Sequence, residues 1–212
     1  MLYPAIAANV AVDLAQRGGL IMVPVGLTAL CAVAMVGERV VWWVGLRGRR
    51  DPARLEAIFA ALGAGRGGEA EALAADSRDP VIAMVYGGLR HRRTSLQAAL
   101  QVSAGLVLQQ AGRFMGALDT IVTLAPLLGL LGTVTGIMGA FGSIGQGELA
   151  VEKVTGGIGE ALIATAAGLG IAIFTLIPLN YFHGCLARLQ FVMEAAGTQV
   201  ELLTDGKAAP EA

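Results

Sequence analysis

The run Ala125-Pro126-Leu127-Leu128-Gly129-Leu130-Leu131-Gly132-Thr133-Val134-Thr135-Gly136-Ile137-Met138 constrains this chain more than any other part of it. It is apolar enough to enter a bilayer, yet dense in glycine and threonine, neither of which lipid requires. Glycine weakens a helix by about 1 kcal/mol relative to alanine, and threonine brings a hydroxyl that must find an acceptor. In a membrane helix such residues mark a face that packs closely on other helices or lines a polar path.

The rest of the chain agrees with a membrane setting. Apolar residues make up 55% of it and charged residues only 15%, less charge than a soluble domain carries. Three segments are long enough, at about 20 apolar residues, to cross roughly 30 Å of hydrocarbon: 19–46, 120–143 and 158–183. The first is followed at once by Arg47, Arg49, Arg50 and Arg54, and most of the remaining arginines precede the second. By the positive-inside rule, region 47–119 is cytoplasmic, segment 1–18 and loop 144–157 are periplasmic, and the C-terminal helix and tail, 184–212, are cytoplasmic. The expected fold class is an all-α integral membrane protein with three transmembrane helices and long cytoplasmic helical extensions.

The N-terminal piece has no cationic n-region and no small-residue cleavage site, so the first span is expected to be retained. Ile6–Gln16 has the pattern of a short amphipathic helix lying on the outer surface. In the cytoplasmic region, Asp51-Pro52 and Asp79-Pro80 read as helix starts, each an acidic N-cap before a proline whose missing N–H costs nothing there. The glycines of Gly63–Gly68 spell a dinucleotide-type G-x-G-x-x-G, but they follow an Ala-rich helix rather than a strand, and a turn is expected. From Leu96 one helix is expected to run to Phe141, roughly 70 Å at 1.5 Å per residue. Leu96, Leu100, Leu106 and Leu108 on it need partner helices. So do Leu186, Leu189, Val192, Met193, Val200 and Leu203 after the third span.

Function is to be sought among the polar residues at membrane depth, because an ionisable group there is costly. Glu160, in Gly156-Gly157-Ile158-Gly159-Glu160-Ala161-Leu162-Ile163-Ala164-Thr165, lies near the outer end of the third span. It reads either as an interfacial carboxylate or as a proton- or cation-handling group facing a cavity. Thr133, Thr135, Thr165 and Thr175 can each bond a carbonyl of their own helix. Gly129, Gly132, Gly136 and Gly139 on the second span, with Ala161, Thr165, Gly168 and Ala172 on the third, form small-residue faces suited to close helix packing. Glu160 and Thr165 are five residues apart, about 140° around a helix, and cannot share one narrow stripe. Glu38-Arg39 reads as a snorkelling pair near the end of the first span.

The pattern Ala125-Pro126-Leu127-Leu128-Gly129-Leu130-Leu131-Gly132-Thr133-Val134-x-Gly136-Ile137-Met138-x-x-Phe141, followed by Gly157-Ile158-x-Glu160-Ala161-Leu162-Ile163-Ala164-Thr165-Ala166-x-Gly168-Leu169, resembles the MotA/TolQ/ExbB proton-channel family, and within it the ExbB and TolQ branch. The resemblance implies a subunit of an inner-membrane motor driven by proton-motive force. It implies a homo-oligomeric ring, a pentamer, around the transmembrane helices of an ExbD- or TolR-like single-span partner with a membrane aspartate, acting on a TonB- or TolA-like protein. It assigns Thr133 and Thr165 to the proton path and matches Glu160 to the family's membrane glutamate. The family's Ala-Ile-Pro late in the third helix is here Ala172-Ile173-Phe174, with the proline at Pro178, one turn further on. That departure bears on the inner pore mouth, while Asn180 still fits.

No cofactor, metal or nucleic acid is expected. His91 and His183 have no His, Cys or acid at ligand spacing, and Cys31 and Cys185 read as packing residues. Of the rival readings, a passive membrane scaffold accounts for the packing faces but leaves Glu160 and the threonines without work. An intramembrane hydrolase would rest on Gly142-Ser143-x-Gly145, with His183 at the opposite end of a span and too far to serve as base.

Overall fold

The computed structural model describes residues 19–142 and 150–205. The expected surface helix at Ile6–Gln16, the serine of the hydrolase reading, Ser143, and the tail from Gly206 lie outside them. The described residues hold seven helices and no strand: α1 Met22–Arg47, α2 Pro52–Gly63, α3 Gly67–Ala74, α4 Pro80–Arg90, α5 Arg92–Ala111, α6 Met115–Phe141 and α7 Ala150–Asp205. Three helical stretches are long and apolar enough to cross a membrane: Met22–Arg47, Ser95–Phe141 and Val154–Thr204. The chain divides into two compact units. One takes α1 through Glu38 together with Phe114–Tyr181, and the other takes Arg39–Arg113 together with the chain from Phe182.

The expected single helix from Leu96 to Phe141 is two helices. Its start is as the sequence suggests, since Ser95 departs from helical geometry (φ −168°, ψ 107°) and its Oγ accepts from the Ala98 amide at 3.3 Å, an N-cap arrangement. The chain then breaks at Gly112–Phe114, where Phe114 takes a left-handed conformation (φ 65°). A non-glycine residue rarely adopts it, and one such residue suffices to end the ladder of hydrogen bonds. α7, by contrast, continues through Pro178 as one element of 56 residues, where about 20 would cross a bilayer.

In the first unit, α6 and α7 pack antiparallel. Gly129 stands opposite Ala164 and Thr165, and Gly136 opposite Gly157 and Ala161, so positions advance on one helix as they retreat on the other. Much of the remaining surface of these helices is apolar and exposed, including Leu127, Leu130 and Met138 on α6 and Leu162, Ile173 and Ile177 on α7.

The second unit is held by polar groups at helix ends as much as by its core of Ile58, Ile82, Val85, Leu89, Met193 and Val200. Asp51 caps α2, accepting from the Arg54 amide at 3.0 Å, and Asp79 caps α4, accepting from the Val81 amide at 2.8 Å. The other carboxylate oxygen of buried Asp79 accepts the Asp51 amide at 2.8 Å, tying the two helix starts together. The Arg54 guanidinium reaches the carbonyls of Leu73 (2.6 Å) and Ala75 (2.7 Å) at the end of α3. The glycine-rich stretch is the turn between α2 and α3, with Gly65 at φ +78°. Leu100 is buried over Gly88, while Leu106 stays exposed.

Arg39 is the largest fully buried side chain among the described residues and not a snorkelling one. It is 1% exposed, its Nη1 donates to the carbonyls of Gln110 and Ala111 at 3.2 Å each, and its guanidinium lies 5.1 Å from the Trp42 ring centroid. Those carbonyls belong to the last turn of α5, where the helix ends and backbone oxygens keep acceptor capacity to spare. A cation at a helix C-terminus is favoured by the helix dipole as well.

Asp79→Ala removes acceptors from two amides at once. Hydrogen exchange at Val81 and Asp51 should accelerate, corresponding to a local loss of about 1–3 kcal/mol. Asp79→Asn, which keeps a capping oxygen, should recover most of the protection at Val81.

Candidate functional site

The seam between α6 and α7 is built at backbone level. A Cβ at Gly129 would stand 3.0 Å from both the Ala164 carbonyl oxygen and Thr165 Cα. One at Gly136 would stand 2.9 Å from the Gly157 carbonyl oxygen, and one at Gly168 would overlap the Ala125 carbonyl and lie 3.1 Å from Gly129 Cα. Gly132 faces Ala164 of α7 and Ile21 just ahead of α1. Gly139, by contrast, has open space where a side chain would go. Gly157 is a contact that the glycine spacing on α6 alone did not point to. Its absent Cβ makes room for Ala140.

This closeness brings Thr165 to its partner. Its Oγ1 donates to the Gly129 carbonyl on α6 at 3.0 Å, a bond between helices. The other three threonines bond within their own helices: Thr133 to Leu130 (2.6 Å), Thr135 to Leu131 (3.0 Å) and Thr175 to Ile171 (2.8 Å). Thr133 follows Gly132, which faces Ala164, and lies four residues, about 6 Å along α6, from the Gly129 that Thr165 meets. Both threonines are partly exposed.

Glu160 lies five residues, about 7.5 Å along the axis, from Thr165. The two side chains have different neighbours, as their separation around the helix requires: Thr165 meets α6, and Glu160 meets the chain entering α1. The Glu160 carboxylate fills the space that a side chain at Gly19 would need, and Gly19 holds a left-handed conformation (φ +66°). Glycine is therefore required there twice over, by conformation and by contact. The carboxylate stands where helix α1 begins, an end whose unpaired amides favour negative charge. The dipeptide Gly18-Gly19 marks a turn in the sequence, but nothing in it signals a carboxylate that arrives from the third span.

Among the described residues no group of His, Cys, Asp and Glu is placed to hold a metal ion. What the site offers is hydroxyl oxygens and one carboxylate in an apolar helical frame. Comparison with known proteins places this frame. Residues 76–195, which include the whole seam and all three polar groups, match the model of the MotA/TolQ/ExbB proton channel family. The chain belongs to that family.

Individual relatives agree. A Synechocystis protein named ExbB-like 3 is 31% identical over 194 residues, covering 89% of this chain and 92% of its own. A second, ExbB-like 1 from the same organism, is 32% identical over 195 residues, covering 88% of this chain and 76% of its own. The biopolymer transport protein ExbB of Neisseria gonorrhoeae is 41% identical over 105 residues, 44% of this chain and 48% of that protein. The chain is thus a membrane protein of ExbB/TolQ type, in a family of channel and motor proteins rather than enzymes.

The seam makes a graded prediction for this family member. Gly168→Val drives a side chain into the Ala125 carbonyl and should destabilise the packed helices by about 3 kcal/mol or more, read as a loss of thermal stability in detergent. Gly139→Ala, which meets open space, should change it by less than about 0.5 kcal/mol.

Proposed function

We propose that this chain is the ExbB/TolQ-like subunit of a motor in the bacterial inner membrane that turns proton-motive force into mechanical work. In this reading the N-terminus is periplasmic and the C-terminus cytoplasmic. Copies of the chain form a homo-oligomeric ring, a pentamer, that encloses the membrane helices of an ExbD/TolR-like partner. The partner passes the work to TonB-type transport or Tol-type envelope processes.

The observation that carries the proposal is the Thr165 hydroxyl at the seam. Its proton is committed to the Gly129 carbonyl. A hydroxyl has one donor and two acceptor sites, so Thr165 offers a partner only lone pairs. A protonated carboxyl can donate to it, whereas a carboxylate, which only accepts, cannot. Thr133 is committed in the same way to Leu130. A ring lined with such oxygens distinguishes the two protonation states of an acid brought to it.

The acid must come from elsewhere. The second span holds no Asp or Glu, and the third holds only Glu160, near its outer end. A single-span partner with a membrane aspartate completes the path, with Glu160 at its outer mouth. Each proton descending 100 mV releases about 2.3 kcal/mol, several times the roughly 0.6 kcal/mol of an average interhelical hydrogen bond in a membrane. Exchange of one such bond on protonation is then small against the driving energy, and the step runs forward.

The exposed apolar faces of all three spans supply the surface that ring neighbours and lipid would cover. In proteoliposomes holding the chain with its co-expressed partner, Thr165→Val should lower proton flux at least about tenfold, while Thr165→Ser keeps most of it. Undiminished flux in the valine variant would remove the proton-path role and leave a scaffold.

A further inference from the structure

Within the second unit, the end of α1 and the α7 stretch following Tyr181 line an open cavity of about 620 Å³ whose lining is divided in character. Trp43, Leu46 and Phe191 make an apolar wall, and Arg47, Arg50 and Arg188 stand on the same cavity. No acidic side chain is among its lining residues. Trp43 adds an independent sign. It is only 8% exposed, and its indole N–H is buried without a hydrogen-bond acceptor among the described residues. A buried donor without an acceptor is uncommon in a folded protein and calls for a group to fill its place.

We propose that this cavity binds an anionic phospholipid from the leaflet at the arginine-rich end of α1. The phosphate pairs with Arg47, Arg50 and Arg188, the guanidinium fork being suited to two oxygens at once. The acyl chain follows the apolar wall toward Phe191, which is 71% exposed. The Trp43 N–H donates to a glycerol ester carbonyl, at the depth where tryptophan commonly sits in a bilayer. A free phosphate would satisfy the arginines but leave the wall and the indole uncovered, so the lining favours a lipid. Basic pockets at helix ends on the side facing anionic lipid are a general mode of headgroup recognition. The inference is independent of proton conduction, and its test reads no flux.

The test is native mass spectrometry of the intact complex, stripped of lipid in detergent and then exposed to phosphatidylglycerol, phosphatidylcholine or inorganic phosphate. Phosphatidylglycerol should be retained at up to one per chain, about tenfold more than phosphatidylcholine. Arg188→Gln should bring the two lipids level. Trp43→Phe keeps the ring and removes only the N–H. It should weaken retention of both lipids while leaving their order, and it decides the matter if the arginine variant does not assemble. Equal retention of the two lipids by the unaltered complex would overturn the proposal. So would displacement of phosphatidylglycerol by inorganic phosphate, which would make this a small-anion site. Retention by single chains but not by the assembled complex would also overturn it, since a second copy would then be covering the cavity.

Discussion

The approach of α6 to α7 at Gly129 and Gly168 is the constraint from which the site follows. Interhelical packing in a membrane gains little from the hydrophobic effect, because lipid tails solvate an apolar side chain as well as another helix does. Stability must come from close contact, and close contact needs small residues. Gly168 lies against the Ala125 carbonyl and Gly129 against the Thr165 backbone. A side chain at Gly168 would overlap the Ala125 carbonyl and push the helices apart, and one at Gly129 would press on the Thr165 backbone itself, so either would strain the Thr165 bond. The same glycines that weaken each helix alone make the inter-helix hydrogen bond possible.

A comparable logic, with charge in place of small size, organises the second unit. Several short helices mean many termini, and every terminus leaves backbone groups without partners in the helix. Asp51, Asp79, Arg54 and Arg39 each meet such ends: two carboxylates at helix starts and two guanidinium groups at helix ends. Buried Arg39 carries the most weight. Replacing it with an apolar residue would take this donor from the last carbonyls of α5, and shortening it would open a cavity beside Trp42. Buried charge is tolerated here because it stands at the negative end of a helix and against an aromatic face.

What the sequence revealed and what it concealed divide by range. The caps at Asp51 and Asp79, the turn at Gly63–Gly68 and the helix start at Leu96 depend on residues close to one another in the chain, and propensity and spacing are enough to read them. The three spans are legible because sustained hydropathy over the length of a membrane crossing leaves few alternatives. The break at Phe114 was not legible, since nothing about phenylalanine favours a left-handed backbone. Arg39 read as a snorkelling residue because the carbonyls it meets lie 71 and 72 positions away. Thr165 bonds across 36 positions, and of four similar threonines no local feature distinguished it.

Glu160 shows how the two scales meet. Its helix position fixed only that it could not face where Thr165 faces, and an angular separation alone does not choose among the remaining neighbours. The choice is made by Gly19, whose left-handed turn leaves space for the carboxylate at the start of α1. A carboxylate so placed stands at the positive end of the α1 dipole, and its distance from that end depends on how α1 lies against α7. A shift of α1 therefore alters the field at Glu160 without any change in α7 itself.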